Sequence, residues 1–405
     1  MRCRPVVLAL CLVSIGTLSG LANGPATQGA LNAQAAQATQ AAPDRPAAQA
    51  VPERRAAGAW YKGNIHTHTI ATDGDSAPDD VVRWYREQKY NFLVLSDHNT
   101  IVGVDGLNAL YATGELAGAD RRSDVPFNPF VLIPGEEVTD KFSPAAQGAV
   151  APGDRDLDSR EIHVGALNVR KVVAPQGGAS VAETIQRDVN AVRAAGGIPV
   201  VNHPNFMWSI TAGDLGHVHD VALIEVFNGH GQANNLGGGG RPGVEETWDA
   251  VLSAGTLLYG VAADDAHAFQ RLGLPAPMSA PGRGWIMVRS EHFSAAALLQ
   301  AIERGDFYAT TGVELADVRA DARSVSVTIR PFSRSKYRVL FIGRGGRVLS
   351  DVPVDPVITA RSGRLDPAAR PVTYEIRGDE GYVRAKVIDS NGLIAWTQPV
   401  MVPSK

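Results

Sequence analysis

Ten histidines occur in this 405-residue chain, and six of them stand next to carboxylates at the ends of short apolar runs. His66 and His68 lie in Asn64-Ile-His-Thr-His68, and Asp73 follows in the next loop. His98 lies in Leu95-Ser-Asp-His98-Asn99, Glu137 in Ile133-Pro-Gly-Glu-Glu137, and His163 within the next run. His203 lies in Val201-Asn-His203-Pro204, and Asp265 and His267 in Asp264-Asp265-Ala-His267. Residues two apart on a strand share a side, so His66 with His68, and Asp265 with His267, can each hold one ion. Imidazole and carboxylate together suit zinc, manganese or iron, and more than one ion. A single strand-end histidine is usually a satisfied structural residue. Nine such groups in concert are not, because burying them unpaired costs too much.

These residues need a frame that brings them together. Apolar runs at 91–95, 130–133, 162–167, 198–201, 222–227 and 257–261 read as strands, and their unbroken apolar character suits parallel strands buried on both faces. Helices alternate with them. One starts at Pro78 with Asp79 and Asp80 in its first turn. One starts near Ser180, with Glu183 completing a capping-box pattern, and stops at Gly196-Gly197. Two more cover 244–254 and 294–304, ending at Gly255 and Gly305. Strand–helix alternation over 58–312 predicts an α/β domain of barrel type, whose strand C-termini share one face where active sites form. Inserts at 103–128 and 140–160 interrupt it. From 318 to 405 the pattern turns to strands, with a hairpin signal at Asn391-Gly392, so a small all-β, sandwich-like domain is expected.

Bulk properties narrow the function. Net charge is −4 and pI about 6.2, which disfavours a nucleic-acid binder or a polybasic membrane-surface protein. The two cysteines, Cys3 and Cys11, rule out a thiolate metal site in the rest of the chain. Both fall in residues 1–24, where Arg2 and Arg4 precede an apolar run and small residues follow, as in a signal peptide. That predicts a periplasmic or secreted protein with no stable membrane insertion after signal removal. Residues 25–57 are mostly Ala, Gln and Pro and read as a disordered linker. Neither a Gly-x-Ser-x-Gly elbow nor a His-Glu-x-x-His helix occurs.

In combination, His66-Thr-His68, Thr72-Asp73-Gly74, Asp97-His98, Gly135-Glu-Glu137, His163, His203-Pro204 and Asp265-Ala-His267 resemble the signature of the polymerase and histidinol phosphatase (PHP) metallohydrolases. The resemblance covers residues 60–311 and implies a distorted (β/α)7 barrel with two to three divalent ions (Zn, Mn or Fe). It implies one ion on His66, His68, Glu137 and Asp265. The resemblance further implies that Glu137 bridges to a second ion on His163 and His203, and that Asp73, His98 and His267 hold a third. Asp264 and Glu136 are the neighbours that compete for the roles of Asp265 and Glu137. Gly282-Arg-Gly-Trp285 and Phe307-Tyr-Ala-Thr-Thr-Gly312 are similar to a secreted branch that includes carbamate-ester hydrolases.

The expected chemistry is hydrolysis by a metal-bound hydroxide, formed because bound water ionises near neutral pH. Asp265, His98 and His267 are the catalytic candidates. Phosphate ester hydrolysis is the first expectation, and carbamate, ester or amide hydrolysis on the same site is the alternative. A non-catalytic metal-binding module is the third. Arg283 and Lys141 are candidates to grip an anion, and Asn99 and Asn205 to orient substrate or a ligand. His217, His219 and His230 read as solvated loop residues, with a substrate-facing role as the alternative, and His292 as a surface residue. The partner expected is a small-molecule substrate, without nucleic acid or an obligate protein.

Overall fold

The computed structural model describes residues 58–112, 128–144, 159–270, 279–355 and 370–403. The expected signal (1–24) and linker (25–57) lie outside the described residues. Seven strands come first: β1 (Ala59–Asn64), β2 (Phe92–Leu95), β3 (Val131–Phe142), β4 (Arg160–Leu167), β5 (Ile198–Val201), β6 (Leu223–Asn228) and β7 (Tyr259–Ala263). They are hydrogen-bonded side by side in chain order. β2, β5 and β7 are buried at every position, which explains their unbroken apolar runs. The expectation of parallel strands holds for β1–β2–β3 and β5–β6–β7 but not for β4, which runs antiparallel to both neighbours. The cause is a long hairpin, in which β3 pairs with β4 from Gly135–Leu167 out to Phe142–Arg160. Its outer arm takes up the edges of the expected 140–160 insert. The two ends of the seven-strand run meet. Thr67, beyond β1, bridges Ala266, beyond β7, and the Asp265 N–H donates to the His66 carbonyl at 3.0 Å.

Among the described residues six α-helices accompany the strands: α1 (Pro78–Glu87), α2 (Asp105–Tyr111), α3 (Val181–Ala194), α4 (Ala212–Leu215), α5 (Val244–Ser253) and α6 (Ala295–Arg304). At α3 the Ser180 side chain accepts the Glu183 N–H, but Glu183 reaches back to the Ala179 N–H at 2.8 Å instead of closing the box on Ser180. α6 stops at Gly305, whose φ is +76° and where an added Cβ would come within 2.7 Å of the Tyr259 ring. The sequence reading missed α2 and α4. α2 buries no residue and α4 is a single turn, so neither carries a helical apolar stripe.

β8 (Trp285–Ser290) and β9 (Phe307–Thr310) extend the sheet antiparallel beyond β1. The described C-terminal residues form strands: β10 (Leu315–Ala320), β11 (Ser324–Ile329), β12 (Tyr337–Gly343), β13 (Arg347–Val354), β14 (Val372–Glu375), β15 (Tyr382–Asp389), β16 (Ile394–Thr397) and β17 (Val400–Met401). β10, β11 and β14 form their own sheet. The other five join the large one, because β16 pairs with β9. Fourteen strands thus run continuously across the expected 312/318 boundary, and all the described residues belong to one compact unit.

Side chains tie the C-terminal strands further to α5 and β7. Arg384 of β15, fully buried, bonds Asp249 and Glu245 of α5 at 2.8 Å and lies over Trp248. The Gln398 amide accepts the Gly260 N–H at 2.8 Å and donates to the Gly260 carbonyl at 2.9 Å, acting as one strand residue for β7. Among the described residues no helix is long and apolar enough to cross a membrane.

Candidate metal centre

The strand ends place all nine expected ligands together. His66 and His68 follow β1, His98 follows β2, His203 follows β5, and Asp265 and His267 follow β7. Glu137 lies inside β3. His163 lies near the start of β4, and because β4 is reversed this puts it at the same end, paired across from Thr139. Asp73 comes from the loop between β1 and α1. Glu137 is central: its Oε1 lies 3.2 Å from His66 Nε2, 3.1 Å from His163 Nδ1 and 3.0 Å from His203 Nε2, and its Oε2 lies 3.0 Å from His98 Nδ1. Asp265 Oδ1 lies 3.2 Å from His66 Nε2 and 3.1 Å from His68 Nε2. Asp73 lies 3.3–3.5 Å from His267, His98 and His68. Exposure rises from 1% at Glu137 to 53% at Asp73, so the Asp73 side is the open one.

Cations fit this donor set. His66 Nε2 and His68 Nε2 converge at 3.1 Å, and His68 Nδ1 and Glu137 Oε2 are buried without a hydrogen bond. Unsatisfied acceptors so crowded are stable only around positive charge. Four groups bring ligand atoms within 4.8 Å of one another: His68, Asp73, His98 and His267; His66, His68 and Glu137; His66, His203 and Asp265; and His98, Glu137 and His163. The last three share Glu137 or His66, and the first sits on the open side. The arrangement implied by the family resemblance is reproduced in part, with His68 also near Asp73 and Asp265 also near His203.

The electrostatics tell the same story. Burial alone would raise Glu137 and Asp265, but the imidazoles, His66 foremost, hold both well below the usual carboxylate range. Burial opposes charge on His66, yet Asp265, Glu137 and Glu225 raise it well above its ordinary value. Burial, reinforced by His267, lowers His68. Asp265 adopts φ of +50°, an uncommon conformation that aspartate tolerates and that turns its carboxylate inward.

A second layer, absent from the sequence reading, orients these groups. Glu225 of β6, 1% exposed, accepts His66 Nδ1 at 2.8 Å through Oε1, and through Oε2 the His203 N–H at 2.7 Å and the Asn228 amide at 2.8 Å. Asn228 also donates to Asp265 Oδ2 at 3.1 Å, and Asn202 to Glu137 Oε1 at 2.9 Å. Asp97 accepts the Thr69 N–H and hydroxyl and the Thr72 hydroxyl at 2.7–2.9 Å, which fixes the loop that bears Asp73. Glu225 had one sequence signal, a lone charge inside the apolar stretch Leu223-Ile-Glu-Val-Phe227.

The neighbouring carboxyls are occupied elsewhere. Asp264 takes the Tyr85 hydroxyl and the N–H groups of Gly282, Arg283 and Gly284 at 2.6–2.8 Å, and Glu136 takes the Val173 N–H at 2.5 Å. Arg283 donates to the Gly229 carbonyl at 3.2 Å, and Lys141 pairs with Glu161 at 3.4 Å. The Asn99 amide is engaged at both ends by the Thr139 backbone, so it pins the His98 turn to β3. Asn205 braces the carbonyls of Asn234 and Pro242. His219 lies in a loop held by Gln186. His230 differs from the solvated reading: its ring centroid lies 5.6 Å from that of His267 and 6.3 Å from that of Phe206, at the site itself.

No protein-family model matches this chain, and no curated protein matches it. Among solved structures it is similar to a two-domain protein containing a predicted PHP-like metal-dependent phosphoesterase from Bacteroides vulgatus. That match has 15% identity over 89% of this chain and 100% of that one, with a TM-score of 0.41. It is also similar to an amidohydrolase from Chromobacterium violaceum with bound sulfate, at 16% identity over 54% of this chain and 93% of that one, with a TM-score of 0.31. Superpositions this loose carry no chemical weight, and the case for function rests on the side chains above.

Proposed function

We propose that this chain is a metal-dependent hydrolase of the PHP type, exported by its N-terminal segment and acting first on phosphate esters. The convergence of nine ligands, each from a different point on the rim of one strand run, is the observation that carries the reading. We read β1–β7, joined end to end by the Thr67–Ala266 bridge, as the distorted barrel of that family. Two to three divalent ions, when bound, supply Lewis acidity and water that ionises near neutral pH.

The chain's own residues do the rest. Glu225 keeps the His66 proton on Nδ1 and leaves Nε2 free as a ligand. Asp265, its Oδ2 held by Asn228, offers Oδ1 as acceptor for the proton of an attacking water. His98 and His267, beside the exposed Asp73, face incoming substrate. Phe206, 5.3 Å from His203 and 5.9 Å from His163, walls off water on one flank.

One observation favours the second reading, a carbamate, ester or amide substrate. Among the described residues the cluster carboxylates form ion pairs only with histidines, while Arg283 spends one guanidinium donor on the Gly229 carbonyl and Lys141 pairs with Glu161. The deciding experiment is elemental analysis of the purified protein, with turnover of aryl phosphate monoesters, diesters and carbamates. Phosphatase activity is expected. Carbamate hydrolysis alone would overturn the choice of ester, and folded His66→Ala and Asp265→Ala variants with full activity would overturn the site.

A further inference from the structure

We propose that His230 is a substrate-contacting residue, whose Nε2–H donates a hydrogen bond to the substrate oxygen on which negative charge accumulates. The proposal rests on the hydrolase reading above. His230 belongs to none of the four ligand groups, yet it is built into their frame. Its backbone N–H donates at 2.8 Å to Asn228 Oδ1, and the Asn228 amide in turn holds Glu225 and Asp265. Its ring is half-buried between His267, on the open side of the cluster, and the Phe206 wall.

The tautomer follows from the loop. Nδ1 accepts the Gln232 N–H at 3.3 Å, which places the ring proton on Nε2. Among the described residues nothing bonds to Nε2. The turn is pinned again by the Ala233 N–H, which donates to the His230 carbonyl at 3.1 Å. The result is a neutral imidazole held in place, with one committed edge and one donor facing away from its own loop. Fixed donors of this kind act most strongly where charge develops away from water.

The role is stabilisation, not proton transfer. A neutral imidazole that surrendered its Nε2 proton would become an imidazolate, so His230 keeps that proton throughout. The water oxygen bonds to phosphorus or carbon as its proton passes to Asp265 Oδ1, the ester bond breaks, and the leaving oxygen departs with the electron pair and takes up that proton. His230 hydrogen-bonds to the oxygen that becomes anionic as this happens.

The test uses the full chain loaded with metal, His230→Phe (ring kept, donor removed) and His230→Gln (donor kept). Three quantities are measured: metal content, affinity for inorganic phosphate by calorimetry, and kcat and KM on an ester the wild type cleaves. His230→Phe should keep the metal content, bind phosphate about tenfold more weakly, and lower kcat by on the order of 100-fold with little change in KM. His230→Gln should recover part of both losses. Phosphate binding by His230→Phe equal to wild type, no phosphate binding by the wild type, or a loss that tracks lost metal would each overturn the proposal. A wild type that binds metal and phosphate but cleaves no ester overturns the hydrolase reading alone, since the phosphate comparison still decides on His230.

Discussion

Glu225 shows how much of the centre depends on a residue that holds no ion. Its carboxylate fixes the His66 ring, the His203 backbone and Asn228 at once. In Glu225→Gln the amide nitrogen faces either the His66 N–H or the His203 N–H, so one of these contacts is lost. Affinity for the ion near His66 should fall about 10–100-fold, measured by competition with a chelator, while the metal-free fold persists. The imidazoles of the cluster also predict a proton count. Burial works against charge on His98, His203 and His267, but Glu137 raises His203, Asp73 raises His267, and the two together raise His98 to about 10. Without metal these rings hold protons more tightly than a free imidazole, and ions must displace them, so apparent metal affinity should climb as pH rises. Calorimetry in two buffers of different ionisation enthalpy reads the released protons; a heat independent of buffer would contradict the count. The nine candidate ligands were legible because they fall in a fixed order, most of them at the ends of apolar runs. Glu225 was hidden by the apolar run around it, and His230 by glycines that made a built turn resemble a loose loop.

At the scale of elements, the starts of the strands read at 91–95, 130–133, 162–167, 198–201, 222–227 and 257–261 were legible to within two residues, but β3 continues to Phe142, and strand direction was not legible. Nothing in Ile162–Leu167 distinguishes a parallel strand from an antiparallel one when both faces are buried, and the β3–β4 hairpin decided it. That hairpin carries a stability device. Asp140 on its arm accepts the Gly177 N–H at 2.7 Å, and Asp188 of α3 accepts the Gln176 N–H at 3.0 Å, so two carboxyls clamp one loop. Burial, then the Asp140 charge, pushes Asp188 up to about 8. A carboxyl raised by folding favours the native state while it is protonated. This contribution is complete below about pH 4, the ordinary aspartate range, and is lost as pH climbs toward 8. Asp188→Asn should therefore raise Tm at pH 8 and leave it nearly unchanged at pH 4, in thermal melts at the two pH values. An equal gain at both would show that charge is not the cause.

At the scale of the molecule, the sequence suggested a catalytic domain ending at 312 and a separate β domain from 318. Local patterning announces a change of strand period, but it does not announce which strand will be the neighbour of β9. The β16–β9 pairing, the Arg384 bonds to α5 and the Gln398 amide on Gly260 all cross that boundary. A chain cut after residue 312 strips β9 of a partner and leaves Asp249 buried without its cation. Residues 58–312 alone should fail to give a cooperative thermal transition, and the full chain should melt in one step. A sharp melt of the fragment would restore the two-domain picture.

The Gln398 contact ties the geometry of the centre to the C-terminal strands. Gly260 lies on β7, whose end delivers Asp265 and His267, and its N–H and carbonyl are both occupied by the Gln398 side chain. The strand that carries two of the candidate ligands is therefore closed along its edge by a residue from the other side of the 312/318 boundary.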